Sequence, residues 1–158
     1  MESLDDRIVP ATFTVSNLNH AGAGSLRQAV IDANTAAGAD TIVFTGADTT
    51  GTIVLTSGEI DITDDVAITG PGAANLTVSG NNAARIFDIA DDDAPDRQIS
   101  VSISGLTFTA GAAADGGAIR LLDDENLTIL DWVFTGNNST NEGAALYSVS
   151  EGFVQISG

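Results

Sequence analysis

The run VSISGLTFTAG (101–111) returns 26 residues later as LTILDWVFTGN (127–137). Ile103 falls on Ile129 (129 − 103 = 26) and Phe108 on Phe134 (134 − 108 = 26), and Ile156 follows Ile129 by 27. GGAI (116–119) maps onto GAAL (143–146) at the same spacing of 27, and SGNN (79–82) recurs as TGNN (135–138), 56 residues on and close to two periods. Within and before this repeat, apolar residues come in pairs at i, i+2, which places both side chains on one face of a strand. Ile42 with Phe44, Ile53 with Leu55, Ile60 with Ile62, Val66 with Ile68, Leu76 with Val78 and Phe87 with Ile89 are the early pairs. Val101 with Ile103, Leu106 with Phe108, Ile119 with Leu121, Leu127 with Ile129, Trp132 with Phe134 and Val154 with Ile156 complete the series. Gly, Asn, Asp or Pro separates most pairs, and no gap has room for a crossover helix. A period in the mid-twenties built of short strands and sharp corners is one coil of a solenoid, in which stacked neighbours bury a continuous core. A β-sandwich needs no such repeat, and the L-x-x-L-x-L consensus of a leucine-rich repeat does not occur.

One helix interrupts the strand pattern. Over 25–36, Ser25 is a good N-cap and Gln28 stands three residues on, as in a capping box. Leu26, Ala29, Val30 and Ala33 share one face, and Gly38 is a stop signal. The helix precedes the first coil and is placed to cover its open end. The organisation expected is therefore a lead-in over 1–10, an N-terminal strand and capping helix over 11–50, and coils over 51–158 that break off in mid-pattern. No matching cap follows Val154. The expectation is a truncated solenoid or an end that meets a partner.

The chain has 158 residues, with 22 Asp and Glu against 5 Arg and no Lys, for a net charge of −17. Binding a polyanion needs cations to replace its counterions, so nucleic acid is excluded as a partner, and so is docking on an anionic membrane surface. No apolar run approaches the roughly 20 residues of a spanning helix, so no membrane insertion is expected. With 43% hydrophobic and 17% charged residues the chain is expected to fold. The absence of Cys excludes a disulfide scaffold and any thiolate metal site. Residues 1–12 have neither the basic nor the apolar region of a secretion signal.

GSLRQAVIDAN (24–34) followed by GADTIVF (38–44) resembles the N-terminal capping segment of bacterial right-handed parallel β-helix proteins of the pectate-lyase-like superfamily. GTIVL (51–55), VAITGPGAANLTVSGNNAARIFDI (66–89) and VSISGLTFTAG (101–111) carry the likeness onward. It is nearer to large surface proteins of the polymorphic outer-membrane and autotransporter-passenger types, whose cap often begins with a CSLREA-like box. GSLRQA (24–29) stands in that place here, and LDDRIVPATFTV (4–15) looks like their lead-in. The resemblance implies an all-β fold, a single-stranded right-handed parallel β-helix with one short N-terminal capping α-helix. It also implies an extracellular or cell-surface location. The same architecture carries lyases, hydrolases, adhesins and scaffolds, so it does not fix an activity.

Several residues are candidates for chemistry. The acidic turns hold carboxylates of the kind Ca2+ takes, with Asp91, Asp92, Asp93 and Asp96 the best group. No EF-hand or G-G-x-G-x-D pattern supports them, and Ca2+ is the one cofactor suggested. In a polysaccharide lyase of the superfamily, acidic residues hold Ca2+ against the substrate while Arg or Lys takes the proton. Only Arg85, Arg97 and Arg120 lie in the repeat region. A hydrolase needs two carboxylates facing across the sugar, and Asp88, Asp115 and Asp131 would serve if they stack on adjacent coils. No family catalytic motif surrounds them, and no catalytic residue is assigned. His20, the sole histidine, reads as a loop bystander. Trp132 shares parity with Phe134 and reads as core. Tyr147 follows the apolar Leu146 and points outward, and Arg120 precedes Leu121 in the matching place, so these two are candidate contacts for a carbohydrate or partner. Asn81 and Asn82, with Asn137 and Asn138, fit sharp corners, where side-chain amides can stack between coils.

The reading is a segment of a secreted or cell-surface β-helix with a structural or adhesive role, its partner a host or matrix glycan or protein. Two alternatives stand beside it. One is a carbohydrate-active β-helix whose active coils lie beyond this segment. The other is a filament subunit that self-associates through its open C-terminal coil.

Overall fold

The computed structural model describes residues 9–46, 49–91, 97–149 and 151–158. Strand β1 (Thr12–Val15) and helix α1 (Leu26–Thr35) come first. The first coil is β2 (Asp40–Phe44), β3 (Gly51–Val54) and β4 (Ile60–Ile62), and the second is β5 (Val66–Thr69), β6 (Leu76–Ser79) and β7 (Phe87–Ile89). The third is β8 (Ser100–Thr109), β9 (Ala112–Ala113) and β10 (Ile119–Leu121), the fourth β11 (Asn126–Thr135), β12 (Asn138–Ser139) and β13 (Leu146–Ser148), and β14 (Val154–Ser157) opens a fifth. Every pairing is parallel and joins neighbouring layers of the stack, with the long β8 running over both β5 and β6. The result is a parallel β-solenoid of about five turns with one short helix.

The repeat read from the sequence is the register of the stack. Ile42, Ile68, Ile103, Ile129 and Ile156 lie directly over one another. Spacing is 26 from Ile42 to Ile68 but 35 from Ile68 to Ile103 (103 − 68), because the corner after β7 is long: it runs over 90–99, against 63–65 and 122–125 in its neighbours. The interior is mostly aliphatic, with Phe13 and Phe44 packed on it near the helix end and an aromatic column further along. Phe87 meets Phe108 edge-on at 6.0 Å, Phe108 stacks on Phe134 at 5.0 Å, and Trp132 tilts against Phe134 at 5.1 Å. Each such contact contributes about 0.5–1.5 kcal/mol beyond the area it buries.

Helix α1 closes the bottom of the stack, as expected. Leu26, Ala29, Val30 and Ala33 are its buried residues, and Ser25 Oγ accepts from Gln28 N at 3.1 Å. The capping box is only half formed, since Gln28 Nε2 donates forward to Asp32 Oδ1 at 2.8 Å. The helix also imitates a strand. Asn34 Nδ2 donates to Asp61 O at 2.9 Å and its Oδ1 accepts from Thr63 N at 3.1 Å, the pair of bonds a parallel neighbour would give β4. Arg27 donates to the carbonyls of Glu59 (2.6 Å) and Gly58 (2.5 Å). Strand β1 does the same work under β2.

Corners demand unusual backbone. Asn81 and Asn82 are left-handed (φ 58 and 53), as their residue type allows. Asn137 does not stack on another amide: it accepts from Gly111 N at 2.9 Å and donates to Phe108 O at 3.0 Å, one coil below. Gly117 permits a close approach from two sides, since a Cβ there would lie 2.3 Å from Asn138 O and 2.4 Å from Ala144 O.

Two outward rows cross the face built by β1, β2, β5, β8, β11 and β14. One is Thr12, Thr41, Ala67, Ser102, Thr128 and Gln155; the other is Thr14, Val43, Thr69, Ser104, Leu130 and Ser157. None of these twelve residues is charged.

Candidate functional site

The opposite sheet, β4-β7-β10-β13, carries the charge. Its strands are three residues long, with apolar first residues turned inward, so the middle residue of each points out. Register then sets Asp61, Asp88, Arg120 and Tyr147 in one outward row. Arg120 and Tyr147, the expected contact residues, are direct neighbours in it.

Arg120 is not free for a ligand. It grips Asp88 with two nitrogens, Nε to Oδ1 at 2.7 Å and Nη2 to Oδ2, and that bond raises its already high pKa. Behind it lies Arg85, only 7% exposed, which donates to the carbonyls of Gly116 (3.1 Å) and Asp115 (2.9 Å) and to Glu59 Oε2 (2.5 Å). Its Nη1 also stands 3.7 Å from Asp88 Oδ2. Burial pushes the Glu59 carboxyl up, Arg85 pulls it down, and Asp88 and Asp61 push it up again. Carboxylate oxygens of Glu59, Asp61 and Asp88 lie within 4.8 Å of one another. Three such groups are hard-cation ligands, but two arginines already offset most of their charge, so a cation would have to compete with Arg85 and Arg120.

The acidic corners are a separate place. Asp92, Asp93 and Asp96 of the expected Ca2+ group lie outside the described residues. Asp91 is buried, with Arg97 Nη1 3.6 Å from its Oδ2, and Arg97 also bonds Asp64. Glu125, fully buried, accepts from Asp91 N at 3.1 Å and from Ile99 N. One carboxylate thus pins both ends of the long corner from the coil above. Burial raises its pKa, the two backbone bonds oppose this, and Asp91 and Asp123 add to the rise.

Of the three carboxylates considered for hydrolysis, Asp88 and Asp115 both act on Arg120, whereas Asp131 belongs to the bend of β11. Asp88 is in the charged row. Asp115 lies before β10, where its Oδ1 accepts from Glu142 N at 3.2 Å, and Asp131 sits at the left-handed bend of β11 (φ 46) with Oδ2 3.3 Å from Ala73 N. His20 Nδ1 contacts Ser57 Oγ at 3.3 Å, and its carbonyl accepts from Arg27 Nε at 3.3 Å. Glu59 and the role of Glu125 were not singled out from the sequence, and Arg85 was noted there only as one of three arginines in the repeat region. Glu59 directly precedes an apolar pair and Arg85 lies two before one, a signal that gains meaning only once Ile60 is known to lie over Phe87. Comparison with protein-family models, curated proteins and solved structures finds no match to this chain.

Proposed function

We propose that the chain is a segment of a secreted or cell-surface β-solenoid whose role is structural or adhesive. The observation that carries this reading is where the polar side chains go. Arg85, Arg120, Glu59, Glu125 and Asn137 tie one coil to the next, which stiffens a rod and holds its outward faces in fixed register. A second reading, the carbohydrate-active one, draws on the Glu59, Asp61 and Asp88 group beside Arg120, a cation-and-arginine pairing suited to an anionic sugar. For a filament built head to tail, α1 and β1 already occupy the edges of the first coil that an incoming end would use.

The test is retention of beads coated with the chain on films of neutral and anionic polysaccharide and on matrix protein, with and without Ca2+, while unsaturated sugar products are followed by ultraviolet absorbance. Retention without product supports adhesion. Product formation moves the assignment to the lyase. Loss of retention on every film removes the adhesive role and leaves a spacer.

A further inference from the structure

We propose that the uncharged face of β1, β2, β5, β8, β11 and β14 binds crystalline water, an ice surface. This rests on the adhesive reading and names the partner of one face.

Charge is the first observation. The chain carries −17, yet none of the twelve outward positions on this face is ionised, while the opposite sheet shows Asp61, Asp88 and Arg120. A face without charge selects a neutral partner. Chemistry is the second. Eight of the twelve positions are Thr or Ser, five of them Thr12, Thr14, Thr41, Thr69 and Thr128. Those five hydroxyls make no hydrogen bond within the chain among the described residues. Thr offers a methyl and a hydroxyl together, and its β-branch restricts χ1, so little freedom is lost on binding. Geometry is the third. Parallel in-register strands repeat at about 4.7–4.9 Å across the sheet, and alternate residues repeat at about 6.6 Å along it. The outward groups therefore form a two-dimensional lattice, whose across-sheet spacing lies near a repeat of oxygens in ice.

Other partners fit less well. No aromatic residue stands on the face to stack on a sugar ring. Val43 and Leu130 are the only larger apolar groups, too few for the apolar core of a protein interface. No Arg is present to hold an anion.

The experiment freezes a dilute solution of the whole chain slowly onto a cold finger and compares protein in the ice with protein in the liquid, against an acidic control protein. Grain growth in annealed thin ice is followed in parallel. Wild type is expected to enter the ice several-fold above the control and to slow grain growth. Thr69→Lys and Thr128→Lys, which put charge on the lattice, should fall to the control level. Thr69→Val, which keeps the strand shape and loses one hydroxyl, should lie between. Tyr147→Lys, on the opposite sheet, should behave as wild type. Circular dichroism confirms that each variant is folded. Exclusion of wild type from ice, or undiminished entry of the folded Lys variants, overturns the proposal. Exclusion from ice with retention on polysaccharide films overturns it and leaves the adhesive reading standing; failure on both removes both.

Discussion

Replacing Glu125 with Ala removes the acceptor for two backbone donors, Asp91 N and Ile99 N. Both residues are buried, so water does not replace the lost oxygens. A buried donor left unsatisfied costs about 1–3 kcal/mol, which gives about 2–6 kcal/mol for the pair. Removing a carboxylate whose own burial is unfavourable returns part of this, so a loss of about 2–4 kcal/mol is expected. In a chain of this length each kcal/mol moves Tm by about 2–4 °C, so the midpoint should fall by roughly 4–16 °C. Glu125→Gln keeps one acceptor but turns an amide N–H toward the second donor, and should fall between wild type and Ala. The assay is thermal unfolding at neutral pH, with urea unfolding for the free energy, both followed by far-ultraviolet circular dichroism. Asp124→Ala on the same corner serves as control, with a change within about 0.5 kcal/mol expected for an exposed position. A Glu125→Ala loss no larger than that control would refute the clamp.

Asn34→Ala strips β4 of its substitute strand bonds and should cost about 1–3 kcal/mol, two bonds at about 0.5–1.5 each, with faster hydrogen exchange at the Thr63 amide as the local readout. Ala110 holds a left-handed backbone (φ 50) where the equivalent residue of the next coil is Gly136 (φ 61). Ala110→Gly relieves about 1–2 kcal/mol of strain against about 0.5–1 kcal/mol of added chain entropy, so a gain of up to about 1.5 kcal/mol is expected, read as a higher urea midpoint. Glu59 holds its proton more tightly folded than unfolded, so its contribution to stability is present below the ordinary carboxyl range and lost as pH rises through its raised value. Glu59→Gln should therefore flatten the rise in Tm on acidification from neutral pH toward about 4.3. An unchanged slope would show that relief of net negative charge alone accounts for the rise.

The sequence makes the strands legible because each apolar pair at i, i+2 is a local fact, and α1 because its stripe and its Ser25 cap are local too. Stacking is legible from Ile103, Ile129 and Ile156, whose spacing is one closed coil. The charged row is harder to see. Glu59 and Asp88 are 29 residues apart, and their meeting depends on the loops that join β4 to β7, whose length no pattern dictates. Arg120 and Tyr147 were readable as outward by parity, but the grip of Asp88 on Arg120 needs the register between β7 and β10. Strands β9 and β12, two residues each, have too few side chains to show alternation. Glu125 reads as one more acidic turn residue; its burial follows from the long corner it spans.

The aromatic column also supplies an optical gauge. Trp132 is the one tryptophan of the chain, and its indole N–H is buried without an acceptor among the described residues. It rests on Phe134 in the fourth coil, so its emission reports solvent entry there, while ellipticity averages over every strand. In a stack held only by nearest neighbours, unfolding can begin at one end and travel. A shift in emission at lower urea than the loss of ellipticity would locate that start at the β11 and β14 end. Coincident curves would mean that the coils melt together.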